Sequence, residues 1–362
     1  MPAVYAAQTM PGLEMVAWDE VQKELRDVSF VKRAQGLVLF GYEGPARELL
    51  HLRTTEDVFV VVYHTADLPA HRGALQQLRE GTLAGDALER ALATHREIHP
   101  QRIKRLTYRV VAQKRGGHEF RRVDAEQAVQ RALQGRYERW KTVPEDAHLE
   151  IWVHIQHQFA AVMLRLSDRT MRHRRYKLVH IPASLRPTIA AAMVRLSQPH
   201  DRDRFVDPMC GAGTILLERV FGGKAGLILG GDIDQAALTA AAENASPYPR
   251  IHLCHWDATM LPLPDQSVHK IVTNLPFGKQ IGSPQGVARL YQRFFPEMAR
   301  VLAPIGRAVL LSSERGLIED NLQASPFRAH RMVNLTVMGQ DAAIYVLEWA
   351  NRPPGAGINA GG

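Results

Sequence analysis

Cysteine is scarce in this chain: Cys210 and Cys254 are the only two among 362 residues. So few cysteines argue against a disulfide framework and against a structural zinc site. His173 and His180 flank a basic stretch, but their spacing is not that of metal ligands, so we expect no metal. Low cysteine usage is typical of a reducing compartment, and the sequence therefore predicts a cytoplasmic protein.

Long apolar runs are missing as well. No stretch approaches the ~18 apolar residues that a membrane-spanning helix needs. The first residues also lack the basic start and apolar stretch of a secretory signal. With 46% hydrophobic and 23% charged residues, the composition is that of a globular protein long enough for two or three domains. We expect a soluble monomer that does not contact a membrane.

Basic residues are concentrated in one part of the chain. Residues 101–180 contain 18 Lys/Arg and 8 Asp/Glu, a balance of +10, whereas the balance is −4 for residues 1–100 and +2 for residues 181–362. Clustered positive charge of this kind is typical of a nucleic-acid contact. A well-solvated surface with scattered lysines and arginines is the alternative. The charge pattern favours nucleic-acid binding by the middle of the chain.

Strand-like and helix-like patterns are mixed in the first 170 residues. A β-branched and aromatic run at residues 58–63 predicts a buried strand. Helical patterns cover residues 75–94 and 124–139, and Asp124 is predicted to cap the second helix at its start. Residues 148–167 predict two strands. This half of the chain is therefore expected to be α+β.

The pattern changes near His180, after which strands alternate with helices. That alternation predicts a mostly parallel, doubly wound α/β sheet. The last two strand patterns, at residues 331–339 and 341–350, predict a terminal antiparallel hairpin. Residues 351–362 are expected to form a disordered tail.

A glycine-containing turn at residues 207–214 follows a predicted strand and opens a predicted helix. Gly211 and Gly213 allow the backbone to approach a ligand closely, and the helix N-terminus offers free N–H groups. Position 216 is Leu, so the third glycine of the dinucleotide fingerprint is missing. Asp207 would repel a pyrophosphate but suits a ligand with an ammonium group. The turn therefore disfavours NAD or FAD.

Two further aspartates follow predicted strands. Asp232 lies nineteen residues after Gly213, where a carboxylate can bind ribose hydroxyls. Asp257 can accept a hydrogen bond from an adenine amine. An amino acid, a ribose and an adenine in that order describe S-adenosylmethionine. A helix N-cap is the alternative for each aspartate, and for Asp234 capping is the favoured interpretation.

Asn274-Leu275-Pro276-Phe277 ends another predicted strand. An exocyclic base amine is a poor nucleophile, because its lone pair is delocalised into the ring. The Asn274 side-chain oxygen and the Leu275 carbonyl are two acceptors that can orient such an amine towards a methyl donor. Pro276 would fix the turn, and Phe277 would stack on a base drawn out of its helix. The alternative is a strand-ending turn with a core phenylalanine.

These motifs, DPMCGAGT, GGDID, WDAT and NLPFG, with the preceding HIPASLRPTIAAAM, resemble those of class I methyltransferases that modify exocyclic amines. Leu275 replaces the commoner proline, as in the THUMP-domain tRNA guanine-N2 methyltransferases. The resemblance implies a ferredoxin-like region at residues 1–65, a THUMP-like domain at 66–170, a linker at 171–182 and a class I methyltransferase domain at 183–350. It also implies N2-methylguanosine formation at position 6 of the tRNA acceptor stem, with the THUMP domain gripping the 3′ end.

The resemblance also implies roles for individual residues. The residues expected to hold S-adenosylmethionine are Ser184, Leu185, Arg186, Asp207, Pro208, Gly211, Gly213, Thr214, Asp232, Ile233, Asp257, Ala258 and Asn274. Those expected to act on guanine are Asn274, Leu275, Pro276 and Phe277. The basic residues expected to contact RNA are Arg102, Lys104, Arg105, Lys114, Arg115, Arg121, Arg122, Arg174, Arg175 and Lys279.

Two alternatives to this function remain open. A guanine in ribosomal RNA is the nearest, because similar domain orders serve both substrates. A non-catalytic RNA-binding protein with a relic methyltransferase fold is the other. Retention of Asp232, Asp257 and Asn274 argues against a relic.

Overall fold

The computed structural model describes residues 3–100, 105–179, 181, 184–277, 283–337 and 339–351. The chain divides into two compact units. Unit 1 comprises Met1–Thr9 and Ala17–Arg172, and unit 2 comprises Met10–Val16 and His173–Gly362. In the described part of the chain, no helix is both long and apolar enough to cross a membrane. Of the tail predicted at residues 351–362, all but residue 351 lies outside the described residues.

Unit 1 contains an eight-stranded sheet. In chain order its strands are β1 (Ala3–Gln8), β2 (Ser29–Ala34), β3 (Leu37–Tyr42), β4 (Asp57–Thr65), β5 (Thr107–Arg115), β6 (Lys141–Thr142), β7 (Leu149–Gln156) and β8 (Phe159–Arg165). They are arranged β2-β3-β1-β4-β8-β7-β5-β6. Pairing is antiparallel except where β5 runs parallel to β6 and β7. Strands from before and after residue 65 therefore share one sheet, and the division into ferredoxin-like and THUMP-like domains stays a prediction.

The described helices of this half of the chain are α1 (Glu14–Glu24), α2 (Gly73–Leu83), α3 (Ala87–Ile98), α4 (Arg122–Arg136) and α5 (Arg169–Arg172), with a 3-10 turn at Ala46–His51. The single helix expected over residues 75–94 is wrong. Gly85 has a φ of +60°, a left-handed conformation that ends α2 and allows α3 to start afresh. The start of α4 is also corrected, since Asp124 lies inside the helix. Its carboxylate accepts from the Arg121 backbone N–H at 2.8 Å.

Unit 2 contains a seven-stranded sheet. Its strands are β9 (Arg204–Asp207), β10 (Leu227–Asp232), β11 (Ile251–His255), β12 (Val268–Asn274), β13 (Leu302–Ser312), β14 (Phe327–Val337) and β15 (Gln340–Trp349). The order is β11-β10-β9-β12-β13-β15-β14. The first five strands are parallel, and the β14–β15 hairpin joins β13 in antiparallel fashion. This arrangement confirms the predicted doubly wound sheet with its terminal hairpin.

Helices cover both faces of this second sheet. They are α6 (Pro187–Leu196), α7 (Thr214–Phe221), α8 (Gln235–Ala245), α9 (Pro284–Val301) and α10 (Arg315–Gln323). Residues of α6, α7 and α8 belong to the core on one face, and residues of α9 and α10 to the core on the other. Because the five parallel strands all point the same way, the residues that end β9, β10 and β12 meet at one edge of the sheet. Those residues are Asp207, Asp232 and Asn274.

The segment Met10–Val16 is counted with unit 2, although it lies within the range predicted for the ferredoxin-like region. Leu13 and Val16 are buried in the same apolar cluster as Leu335 and Val337 of β14. This contact joins residues more than 300 positions apart in the sequence, so a local periodic pattern does not reveal it.

Candidate functional site

A pocket of about 580 Å³ lies at the carboxyl edge of the unit 2 sheet. It is lined by apolar side chains with a few polar groups, which is typical of a small-molecule site. All but one of the residues predicted to hold the cofactor or act on the base line it. They are Ser184, Leu185, Arg186, Asp207, Pro208, Gly211, Thr214, Asp232, Ile233, Asp257, Ala258, Asn274, Leu275, Pro276 and Phe277. Gly213 is the exception; it is the N-cap of α7.

The turn between β9 and α7 depends on its glycines. Gly211 has a φ of +51° and Gly213 a φ of +78°, and both are in the left-handed region that side chains disfavour. Asp232 holds this turn, since its Oδ2 accepts from the Gly211 N–H at 2.9 Å. The backbone of this turn therefore lines the pocket at the start of α7.

Asp207 is the buried acid of the site. Only 1% of it is exposed, and its carboxylate accepts from the Met209 N–H at 3.3 Å. Burial, with a smaller contribution from the neighbouring Asp232 carboxylate, raises the pKa of Asp207 to about 7. Among the described residues, no basic side chain is paired with it. A cation arriving beside Asp207 would therefore be strongly favoured, because it would compensate a buried negative charge.

Asp232, Asp234 and Asp257 differ in what they do. Asp234 caps α8, its Oδ1 accepting from the Ala236 N–H at 2.8 Å, which confirms the capping interpretation. Asp232 Oδ1 accepts from the Asp234 N–H at 3.0 Å, and Asp257 Oδ1 accepts from the Thr259 N–H at 2.8 Å. A carboxylate has about four lone-pair sites, so Asp232 and Asp257 keep acceptor capacity for a ligand. Ile233, exposed by 68%, offers an apolar surface between them.

The turn after β12 is held from two sides. The Leu275 N–H donates to the Leu311 carbonyl at 3.0 Å, and the buried Tyr291 hydroxyl donates to the Pro276 carbonyl at 3.0 Å. In contrast, Asn274 Oδ1 is buried and has no hydrogen-bond donor among the described residues. A buried acceptor without a partner carries a free-energy cost, and such groups mark functional sites. Asn274 is therefore positioned to accept from a bound molecule.

Several residues that support the site were not predicted from the sequence. Asn244 is fully buried on α8 and makes four hydrogen bonds: its Oδ1 accepts from the N–H groups of Leu178 and Val179, and its Nδ2 donates to the carbonyls of Val179 and Ala212. Trp256 donates from Nε1 to the Pro208 carbonyl at 3.0 Å. A polar residue inside the apolar pattern of α8 was the one available signal for Asn244.

The loop that precedes α6 is anchored by a lysine. Lys177 Nζ donates to the Leu185 carbonyl at 2.8 Å, and burial lowers the pKa of Lys177 to about 8. Ser184 Oγ is buried without a hydrogen-bond partner in the described part of the chain, and it faces the same pocket. The hydroxyl group of Ser184 in this loop is thus a second polar group that can form a hydrogen bond to a ligand in the pocket.

The predicted RNA-binding residues do not form one patch. Arg105 precedes β5, whereas Lys114 and Arg115 end it, and at ~3.3 Å per residue these two ends lie about 26 Å apart. Arg115, Arg121 and Arg122 are exposed near the second end. Lys114 Nζ is partly buried and donates to the Gly116 carbonyl at 3.2 Å. Arg102, Lys104 and Lys279 lie outside the described residues.

The structure corrects the prediction that Arg174 contacts RNA. The residue is only 7% exposed, and its Nε lies 3.7 Å from the Glu218 carboxylate. Its charge is compensated inside unit 2, so it does not present a cation to RNA. Arg175 beside it is exposed. In unit 1, Arg165 and Arg172 are paired with the buried Asp57, so part of the positive balance of residues 101–180 is also neutralised within the fold.

Comparisons with known proteins agree with this geometry. Residues 174–342 match the UPF0020 family model, described as an RMKL-like methyltransferase domain. The crystal structure of TrmN from Thermus thermophilus superposes with a TM-score of 0.78 at 25% identity, covering 96% of this chain and 99% of that one. The chain therefore contains a methyltransferase domain with the predicted class I fold.

Two relatives in Mus musculus are similar in sequence. The tRNA (guanine(6)-N(2))-methyltransferase THUMP3 is 30% identical over 317 residues, covering 82% of this chain and 61% of the relative. The U6 snRNA (guanine-N(2))-methyltransferase THUMPD2 is 34% identical over 178 residues, covering 48% of this chain and 32% of the relative. The chain thus spans less than two thirds of the length of either.

Asn244→Ala tests the support of the glycine turn. The substitution removes the side-chain acceptor of the part-buried Leu178 and Val179 N–H groups and the side-chain donor to the Val179 and Ala212 carbonyls. We expect the free energy of unfolding to fall by about 3 kcal/mol. Thermal and urea unfolding measure the effect. Glu243→Ala on the exposed side of the same helix is the control and should change stability by less than about 0.5 kcal/mol. Equal stability of the two variants would contradict the role given to Asn244.

Proposed function

We propose that this chain, with its RMKL-like methyltransferase domain, is an S-adenosylmethionine-dependent enzyme that forms N2-methylguanosine in tRNA. The observation that carries the proposal is the buried, unpartnered Oδ1 of Asn274, which lies at the same sheet edge as the buried acid Asp207. One group needs a hydrogen-bond donor and the other a cation. An amine acceptor substrate and a cofactor with an ammonium group satisfy these two needs.

The residues of the pocket suit S-adenosylmethionine. Its ammonium would lie against Asp207, its ribose hydroxyls would donate to Asp232, and its adenine amine would donate to Asp257. Exposed Ile233 gives the adenine ring an apolar surface to cover. Ser184 Oγ supplies a further polar contact from the loop before α6. When bound, the cofactor supplies an electrophilic methyl group.

The chain's own part in the reaction is to orient the amine. Asn274 Oδ1 and the Leu275 carbonyl accept the two N–H groups of the guanine N2 amine. Both acceptors draw the nitrogen towards a pyramidal geometry, so that its lone pair points to the methyl group. N2 gains a methyl group and then loses one proton to solvent. No strong base is required, because the methylated nitrogen carries a positive charge and its proton is therefore acidic.

Tyr291 and Phe277 complete this arrangement. Tyr291 fixes the turn through the Pro276 carbonyl, so the two acceptors keep their relative positions. Phe277 is half-buried against the core and also lines the pocket, where it would stack on the extruded base. The turn therefore combines a rigid pair of acceptors with an aromatic surface.

The RNA substrate is inferred from the relatives. The name of THUMP3 specifies a tRNA guanine at position 6, and we propose the same nucleotide for this chain. The name of THUMPD2 specifies U6 snRNA, which makes a second RNA class the alternative. The tRNA is favoured, because the likeness to THUMP3 spans 82% of the chain and so extends beyond the methyltransferase domain into unit 1. We further propose a cytoplasmic monomer whose unit 1 contacts the tRNA 3′ end.

Asn274→Ala tests the reaction site. Loss of one amine-orienting acceptor should lower kcat by at least about 100-fold. Binding of S-adenosylhomocysteine, measured by calorimetry, should remain because Asp207, Asp232 and Asp257 are intact. Nucleoside analysis of tRNA after single-turnover reactions measures the rate at which N2-methylguanosine forms. Retention of near-normal turnover would remove Asn274 from the mechanism.

Cofactor affinity should depend on pH through Asp207. Its pKa of about 7 means that the carboxyl is mostly protonated at pH 6 and mostly ionised at pH 8 in the free protein. Ionisation is required to pair with an ammonium, so S-adenosylhomocysteine should bind about tenfold more tightly at pH 8 than at pH 6. Asp207→Asn should bind more weakly and lose this dependence. A flat profile for the unsubstituted protein would contradict the proposed pairing.

The location of the RNA contact on unit 1 is testable by charge reversal. Lys114→Glu with Arg115→Glu should weaken tRNA binding by about tenfold or more and flatten its salt dependence. Arg139→Glu with Lys141→Glu is the matched control, since it makes the same charge change near the opposite end of β5. Cofactor binding should be unaffected in both. If the control pair weakens binding instead, the contact lies at the other end.

A further inference from the structure

A short turn connects Met10 to the start of α1. The Leu13 N–H donates to the Met10 carbonyl at 2.9 Å, and the Val16 N–H donates to the Leu13 carbonyl at 2.9 Å. The Gly12 N–H lies 3.1 Å from both oxygens of the Glu14 carboxylate. These local bonds fix the shape of Met10–Val16, which we call the N-terminal segment.

Gly12 presses the N-terminal segment against β14. Its φ is +102°, and a Cβ at this position would lie 1.9 Å from the Asn334 carbonyl oxygen. No other residue can take this place without moving backbone. Leu13, fully buried, adds an apolar contact with the core that contains Leu335 and Val337. The segment is therefore held at a fixed position within unit 2.

Met10 lies where the N-terminal segment reaches the pocket. It lines the pocket together with Val337 and Arg186, and the Arg186 guanidinium donates to Met10 Sδ at 3.5 Å. The sheet order places β14 on the side of β12 away from β9, β10 and β11. Those three strands carry the proposed cofactor contacts. Met10 therefore belongs to the side of the pocket that faces the acceptor.

We propose that Met10 contacts the acceptor nucleotide, with its thioether as an apolar wall of the purine subsite. The inference rests on the proposed function, since it assigns the base-binding half of that same site. A thioether is polarizable and makes favourable contacts with aromatic rings, and its flexible side chain adapts to the ring's position. Phe277, which lies in the same pocket, would cover the purine from another direction. A residue near position 10 thereby completes a subsite otherwise built from residues after 180.

Met10→Ala tests this contact, with Met15→Ala as the matched control. Met15 is in the same segment but is 42% exposed and does not line the pocket. We expect Met10→Ala to lower kcat/KM for an unmodified tRNA transcript by about tenfold, while the Kd for S-adenosylhomocysteine stays within about twofold. Met10→Leu, which restores an apolar side chain of similar size, should recover most of the activity. Met15→Ala should behave as the unsubstituted protein.

Oxidation by dilute hydrogen peroxide provides a measurement that does not depend on turnover or on a variant that folds. Bound tRNA, in the presence of S-adenosylhomocysteine, should protect Met10 from sulfoxide formation, while Met15 oxidises equally with and without RNA. Mass spectrometry of the digested protein reads both residues.

The results of these experiments test the Met10 contact separately from the proposed methyltransferase function. Normal methylation by Met10→Ala, or equal oxidation of Met10 with and without tRNA, would overturn the contact while leaving the methyltransferase assignment intact. A large rise in the Kd for S-adenosylhomocysteine in Met10→Ala would place Met10 on the cofactor side and also overturn it. Failure of the unsubstituted protein to form N2-methylguanosine would instead overturn the proposed function.

Discussion

The arrangement of the site depends on burying a carboxyl group, Asp207, in a place where the described chain supplies no cation for it. Burial raises the pKa of Asp207 to about 7, because a buried carboxylate without a nearby cation is unfavourable. In the free protein the carboxyl group is therefore protonated in a large fraction of molecules near neutral pH. A ligand with an ammonium group resolves this conflict, and the surrounding structure leaves room for one. The fully buried Asn244 and the left-handed Gly211 and Gly213 keep the adjoining turn open. Burial of one acid is thus the basis on which we propose both the kind of ligand and the place where it binds.

Parallel strands then bring the remaining groups to the same edge. Asp232 ends β10 and Asn274 ends β12, on either side of β9, so the proposed ribose contact and the proposed amine acceptor lie on opposite sides of Asp207. In the function we propose, the order of strands separates a cofactor half of the pocket from an acceptor half. Tyr291, fixed by Ser312 and bonded to the Pro276 carbonyl, keeps the acceptor half rigid.

Local patterns predicted much of this. The strand ends, the glycine turn, Asp234 as a cap and the terminal hairpin all follow from residues close together in the sequence, and the structure confirms them. The failures involve partners far apart. Arg174 looked like a surface cation because Glu218, 44 positions later, was not a visible partner. Met10 and Asn244 contact residues that are far from them in the sequence, and a periodic pattern of residue types does not reveal such contacts. The break at Gly85 was overlooked because a single glycine inside a helical pattern is often tolerated.

Transfer of a labelled methyl group to two tRNA transcripts tests the central claim most directly. One transcript has guanosine at position 6, and the other has inosine there, which differs only by lacking the N2 amine. We expect label in the first transcript, recovered as N2-methylguanosine, and little or none in the second. Equal labelling of both transcripts, or recovery of the label in any other nucleoside, would contradict the proposed methylation of this guanine amine.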